Sequence, residues 1–439
     1  MEITFLGASR EVGRSAFLLE GRENLLLDCG VKPAKEPEYP LIEPRTAKSL
    51  DRVVLSHAHL DHSGYLPALY SMGYKGKVLL TKPTRDLIQL LLADFLRLNG
   101  GQSAPYSQED VDKLLKSTEL MDFGEPAKKP IKGYPLRFLP AGHILGAAMT
   151  EISAEKKILY TGDIDTRESR LLDGAQTTGL SAQVLIIEST YGSKTDKHQA
   201  QKQTGKEFVD SINRTLSKGG KVIVPTFAIG RGQEILFILE SYMRSGALPQ
   251  VPIYLDGMVT RALRIYRHNA IYLKKEIQRR ILTSEDDPFK SEFYQIPQRK
   301  DRSDVLEQDR AIILATSGML NGGPVMTYLK HLGNDPKNKI ILVGYQAEGT
   351  RGRDLIEGKP IVDNDGVAIE ITCQVEQAPF SGHADHDGLL TLAKSVKGLK
   401  TVFVVHGENE KSYEFAADIE KQCKGVTAIV PELGETVTI

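Results

Sequence analysis

The chain has 439 residues, of which 41% are hydrophobic and 26% charged, with 56 basic residues against 57 acidic ones and a net charge of −1. That length calls for about two or three domains rather than one core, and the composition excludes a disordered or fibrous chain. The charge balance gives no overall drive toward nucleic acid, so a polyanion would have to be held by a local patch.

The N-terminal sequence Met1-Glu2-Ile3-Thr4-Phe5-Leu6-Gly7 lacks a basic stretch followed by an apolar one, so it does not read as a signal peptide. Met1–Leu6, Ala16–Glu20, Asn24–Asp28, Arg52–Ser56 and Lys77–Thr81 are short β-rich runs, and Pro83–Leu98 carries apolar residues at helical spacing behind a proline. Tyr134–Pro140, Met149–Ser153, Lys157–Thr161 and Val184–Glu188 continue the strand pattern. Past Tyr191 the style changes to strand–helix alternation. Lys194–Leu216 and Gly230–Ser245 read as helices, and Lys221–Pro225, Pro252–Leu255, Ala311–Ala315 and Lys339–Val343 as strands, which together predict a parallel α/β sheet. Ala368–Gln377 and Thr401–Val405 return to strands around a helix at Asp387–Val396, so one domain is expected to lie inserted within another.

The longest apolar runs, such as Leu87–Leu92 and Ala311–Ala315, are far shorter than the roughly 20 residues that span a bilayer. The expectation is a cytoplasmic chain with no membrane partner. Cys29, Cys373 and Cys423 form no pair motif and read as small buried side chains, so any metal must be held by histidine and carboxylate. A basic stretch, Arg261–Arg280, reads most simply as a solvated helix face.

The run Arg52–Ser56 leads directly into His57-Ala58-His59-Leu60-Asp61-His62. Four ligand-capable side chains in six residues, behind a strand, suit a loop curled around divalent metal, since zinc takes imidazole nitrogen and carboxylate oxygen. With ten histidines in the whole chain, three in one hexapeptide are poorly explained by chance.

This His-x-His-x-Asp-His pattern resembles the metallo-β-lactamase superfamily, and further motifs follow in order: Asp28 at a strand end, His143 in Ala141-Gly142-His143, and Asp163 in Thr161-Gly162-Asp163. The resemblance implies two Zn2+ ions, with Mn2+ an alternative. One would be held by His57, His59 and His143, the second by Asp61, His62 and a later histidine, with Asp163 bridging and Asp28 orienting a ligand.

Three later segments are similar to the β-CASP subfamily, whose members process nucleic acids: Glu188-Ser189-Thr190-Tyr191-Gly192, Ser381-Gly382-His383-Ala384 and Val405-His406-Gly407. On that resemblance His406 completes the second metal site, and His383 is a general acid whose tautomer Glu188 fixes. Asp163 belongs to the catalytic set as well. The loops Ser381, Gly382, Ala384 and Thr316, Ser317, Gly318 are expected to offer backbone N–H groups to phosphate where a helix begins. Arg10, Arg14, Arg231, Arg351 and Arg353 are candidates to line the strand's path.

The fold implied is an αββα metallo-β-lactamase sandwich with an inserted parallel α/β β-CASP domain. Its parts are 1–192 and 376–439 for the sandwich and 193–375 for the insertion. The chain resembles the archaeal cleavage-and-polyadenylation-factor-like and RNase J-like ribonucleases; with a core strand at Met1 and Ile439 soon after His406, the expectation is a form without KH domains or an added C-terminal domain. The implied function is a zinc-dependent ribonuclease acting on single-stranded RNA and leaving 5′-phosphates, by 5′→3′ exonuclease attack with endonuclease action open. A homodimer is left open too. Competing readings are a DNA-directed β-CASP nuclease, a lactonase- or thioesterase-type metallohydrolase, and a catalytically dead scaffold, which the intact ligand set disfavours.

Overall fold

The computed structural model describes residues 1–32, 37–99, 104–124, 133–284 and 286–439. The chain divides into two compact units: Met1–Glu168, Leu172–Lys197 and His383–Ile439 form the first, and Ser169–Leu171 with His198–Gly382 the second.

In the first unit a seven-stranded sheet runs Thr436–Thr438, Glu2–Phe5, Phe17–Glu20, Leu25–Leu27, Arg52–Val54, Lys77–Leu80, Thr118–Leu120. A six-stranded sheet runs Thr427–Ile429, Thr401–Val405, Val184–Glu188, Lys157–Tyr160, Ala148–Ser153, Leu136–Pro140. Phe5 and Phe17 from the first sheet interlock with Phe403 and Tyr160 from the second, at ring separations of 5.0 Å (Phe5–Phe403) and 5.6 Å (Phe17–Tyr160), so the core lies between the sheets. Aromatic pairs at such distances add stabilisation beyond the area they bury. This is the expected metallo-β-lactamase sandwich.

The second unit is built on a six-stranded sheet ordered Tyr294–Gln295, Ile253–Asp256, Ile312–Ala315, Val222–Pro225, Lys339–Val343, Gln374–Ala378. Every pairing in it is parallel. Its central strands are apolar and fully buried, as a sheet covered on both faces requires. The parallel α/β expectation holds.

Three bounds differ from the sequence reading. Ending the insertion at residue 375 would cut the strand Gln374–Ala378, which pairs along its whole length with Lys339–Val343; the unit instead runs on to Gly382. The helix expected from Lys194 begins at Gln201. Before it, Lys194 is tied to the first unit by its ion pair with Asp418 at 2.8 Å and its N–H bond to Glu414 at 3.0 Å, contacts a helix there would forfeit. Likewise Ala368–Gln377 is two strands, Ala368–Ile369 and Gln374–Ala378, because Thr372 and Cys373 turn their N–H groups to the Gly333 carbonyl.

Candidate metal centre

All seven side chains assigned to metal by resemblance lie in the first unit, at the ends of its strands. The His57–His62 loop follows the strand Arg52–Val54 and closes in a single helical turn, Leu60–Ser63. Its backbone is pinned from outside: Ser15, Cys29 and Val31 donate N–H bonds to the carbonyls of Asp61, His62 and Leu60. Gly30 is required for that approach, since a Cβ there would overlap the Asp61 carbonyl.

The ligand atoms converge on the two oxygens of Asp163. Toward Oδ2 come His57 Nε2 at 3.5 Å and His143 Nε2 at 3.7 Å, with His59 Nδ1 3.2 Å from His57 Nε2 and 3.1 Å from His143 Nε2. Toward Oδ1 come His62 Nε2 at 3.2 Å and His406 Nε2 at 3.8 Å, and His406 Nε2 also lies 3.6 Å from Asp61 Oδ2. Donors around a tetrahedral zinc at about 2.0–2.1 Å stand roughly 3.3–3.5 Å apart. These spacings therefore fit a divalent ion on each side of the carboxylate. One unpartnered atom agrees: Asp163 Oδ1 is buried with no hydrogen-bond partner among the described residues, which a buried polar atom rarely tolerates without a ligand.

Electrostatics follow from this crowding. Burial, then the neighbouring His62, drive His57 well below the ordinary imidazole range, and burial lowers His59, so both are neutral with a lone pair to offer at pH 7. Burial opposes ionisation of Asp163, but His406, His62, His383 and His57 outweigh it and hold the carboxyl well below its usual range. His62 goes the other way; burial disfavours its charge, yet Asp163 and Asp28 raise it well above the usual value.

A second layer of side chains aims the first. Asp28, fully buried and at φ 58°, accepts from His62 Nδ1 at 2.6 Å, Tyr160 OH at 2.6 Å, Ser56 N at 2.7 Å and Ser56 Oγ at 2.7 Å. It touches a histidine and none of the converging donor atoms. His406 leaves the strand Thr401–Val405 at φ 48° and is oriented through Nδ1 by Ser15 Oγ at 2.8 Å. Such partners fix the tautomer and direction of a histidine.

Beside this cluster, His383 Nδ1 sits 2.9 Å from both oxygens of Glu188, and its Nε2 lies 4.0 Å from Asp163 Oδ2. Burial pushes the imidazole toward neutrality; the carboxylates of Glu188 and Asp163 overcome this and raise it to about 9. His383 and Asp61 are 17% and 23% exposed, against 3% or less for the other residues of these ion pairs, so solvent reaches the cluster past these two. Two backbone ties lock the His383 segment: Ala384 N–H bonds the Ile164 carbonyl at 2.6 Å, and Arg167, forked onto Asp165 at 3.0 and 2.9 Å, reaches the His383 carbonyl at 3.3 Å. Glu188 Oε1 also accepts from Ile164 N at 2.8 Å.

Ser15, Ser56, Tyr160 and Arg167 escaped the sequence reading. Ser56 and Tyr160 had a signal, since each immediately precedes or closely flanks a motif residue. Ser15 had none, lying 391 residues from His406.

In the loops expected to meet phosphate, three backbone N–H groups already have partners. The Ala384 N–H is spent on Ile164, the Thr316 N–H on the Asp256 carbonyl and the Ser317 N–H on the Gly322 carbonyl. No helix begins at either loop: the following ones start at His386, capped by Asp385, and at Val325. Gly318 packs on the Phe227 ring, while Ser381 is buried and Gly382 abuts the Arg231 guanidinium. Of the arginines proposed to line a strand's path, Arg10 pairs with Glu432, Arg14 with Glu11 and Glu38, and Arg353 with Glu357, while Arg351 binds the Leu320 and Asp363 carbonyls.

Comparison with known proteins agrees with this geometry. Residues 18–190 match the metallo-beta-lactamase superfamily domain, 232–355 the Beta-Casp domain, and 368–431 the Zn-dependent metallo-hydrolase RNA specificity domain. An RNase J-like protein of Methanocaldococcus jannaschii is 39% identical over 100% of this chain and 99% of its own. The transcription termination factor FttA of the same organism is 38% identical over 98% of this chain and 70% of its own, and that of Pyrococcus abyssi 36% over 100% and 71%. A crystal structure of a protein of unknown function from Enterococcus faecalis V583 shares the fold, with TM-score 0.58 at 13% identity over 100% of this chain and 99% of that one. With a relative matched from end to end and a buried cluster of histidines and aspartates that suits divalent metal, the chain belongs to the β-CASP nuclease family of the metallo-β-lactamase superfamily.

Proposed function

We propose that the chain is a dizinc ribonuclease that hydrolyses single-stranded RNA to leave 5′-phosphates. The observation that carries this is the pair of donor clusters on opposite oxygens of Asp163, with the His383–Glu188 pair beside them. His57, His59 and His143 would hold one ion, Asp61, His62 and His406 the other, and Asp163 both. When bound, two divalent ions supply Lewis acidity toward phosphoryl oxygens and acidity to water near neutral pH.

The chain's own residues do the rest. Glu188 accepts from His383 Nδ1, which leaves Nε2–H as the donating face. Raised to about 9, the imidazole stays protonated at neutral pH, so Nε2 can give its proton to the departing 3′-oxygen. Asp28 and Ser15 keep His62 and His406 turned inward throughout. RNA as the substrate is supported by the RNA specificity domain match and by the RNase J-like relative. It also favours the cytoplasm, where an RNA-processing enzyme meets its substrate.

Attack from the 5′ end is our first reading of the mode, resting on the similarity to an RNase J-like relative along the whole chain. RNA carrying a 5′-monophosphate, a 5′-triphosphate or closed into a circle separates the modes. Mononucleotides released from the monophosphate form alone support exonuclease action, whereas a cut circle requires endonuclease action. If zinc-loaded protein cuts none of these while hydrolysing a lactone, the ribonuclease reading fails.

A further inference from the structure

The basic stretch Arg261–Arg280 takes no part in the metal centre. In the structure it forms two helices of the second unit, Val259–His268 and Lys275–Thr283, and the first borders a cavity of about 460 Å3. That volume lies within the range of small-ligand sites, about 300–1,000 Å3. Leu255, Leu263 and Phe289 give the cavity an apolar floor, and Ile296, 48% exposed, extends it toward solvent. Arg264, Arg267 and Lys290 line it as well, and among the described residues no lining residue is a carboxylate.

The three cations differ. Arg267 is fixed by Asp287 at 2.5 Å, whose other oxygen caps the Phe289 N–H at 3.0 Å, so this arginine is part of the wall. Arg264 and Lys290 are exposed and have no acidic partner within ion-pair distance among the described residues. Unneutralised cations beside an apolar wall match a specific chemistry. A nucleotide brings a phosphate for the cations and a flat base face for the wall, and sequence-tolerant binding of single strands combines those two contacts. An acidic peptide would satisfy the cations and leave the wall bare.

We propose that this cavity is a second contact for the RNA chain, taking one nucleotide unit of a single strand with its phosphate at Arg264 and Lys290 and its base against Phe289 and Ile296. The proposal rests on the ribonuclease reading for the identity of its polyanion, and on none of the residues of the metal centre.

The test pairs binding with cleavage. Fluorescence anisotropy in chelator, where cleavage is suppressed, compares the wild type with Arg264→Glu/Lys290→Glu on single-stranded RNAs of about 4 and about 30 nucleotides. For the long RNA, the slope of log affinity against log salt should shrink by about 1.4, two phosphate contacts at about 0.7 each, with affinity down about tenfold. The neutral pair Arg264→Gln/Lys290→Gln should fall in between. In the zinc-loaded protein, KM for the long RNA should rise while kcat, and cleavage of the short RNA, stay as in the wild type. An unchanged salt slope and affinity would overturn the proposal. So would polyglutamate binding that the charge reversal abolishes while RNA binding is untouched, which would mark a protein-docking site. If the wild type cuts neither RNA, the ribonuclease reading fails, and the anisotropy arm still decides the cavity.

Discussion

His383 carries a charge that its burial opposes, and Glu188 is the main reason. The raised value has a direct consequence in the metal-free protein. A group lifted from 6.5 to about 9 contributes stability that is fully present below about pH 6.5 and is lost as pH rises through about 9. A 15N-histidine NMR titration of the chelated protein should find the His383 midpoint near that value, and Glu188→Gln should bring it down by at least a unit. A midpoint unmoved by Glu188→Gln would mean that the short contact does not set the charge. Ser15 offers a different test, because its hydroxyl makes its short contact with His406, at 2.8 Å, and lies 3.5 Å from His62. Ser15→Ala should weaken metal binding about 10- to 100-fold in a chelator competition while leaving the chelated protein's melting temperature nearly unchanged. Equal affinity would remove Ser15 as an orienting residue. The histidines and carboxylates themselves were legible because chemistry confines such residues to tight motifs. Their hydroxyl partners were not, since serine and tyrosine occur everywhere and are recognisable only once folding brings them within reach.

At the level of elements, the turn Ile164–Arg167 couples the two halves of the site. It starts beside Asp163, feeds its Ile164 N–H to Glu188, and holds the His383–Ala384 backbone through the Ile164 carbonyl and Arg167. Small shifts of an acid relative to its substrate are costly, so Arg167→Ala should lower kcat by about 10- to 100-fold with metal content intact. The alkaline limb of the pH–rate profile should move with it, and Arg167→Lys should rescue poorly because an ammonium cannot fork onto Asp165. Unchanged kcat and pH profile would reduce the tie to a structural one. Most strands in the three large sheets were readable from their apolar runs, and Val184–Glu188, Lys339–Val343 and Thr401–Val405 were read to the residue. Helices such as Gln108–Lys116 and Asn409–Gln422 were passed over, their apolar stripes being short and outnumbered by charge. The partners of the loop N–H groups at Thr316, Ser317 and Ala384 were not legible, because glycine content says nothing about which carbonyl a loop N–H has found.

Across the whole molecule, the metal-centre residues fall in one compact unit and the parallel sheet in the other, although the first unit is assembled from three stretches of chain. Sequence style alone led to an expected insertion at 193–375, where the second compact unit comprises Ser169–Leu171 and His198–Gly382. The end differs because Ala368–Gln377 was read as strand but not as the edge of the parallel sheet, an assignment that only its pairing with Lys339–Val343 reveals. Ligands that bind only the folded state stabilise it. Calorimetry should therefore show that stripping metal lowers the transition of the first unit, by about 3–4 kcal/mol of stabilisation for zinc at 100 to 1,000 times its Kd, and spares that of the second. Equal shifts in both transitions would contradict an ion site confined to the first unit. The measurement that bears most directly on the central claim is cleavage of single-stranded RNA by protein of known zinc content, wild type against Asp163→Asn. Two zinc ions per wild-type chain, products ending in 5′-phosphate, and loss of both stoichiometry and cleavage in Asp163→Asn are the predicted result. Full cleavage by Asp163→Asn, or no cleavage by a wild type carrying two zinc ions, would contradict it.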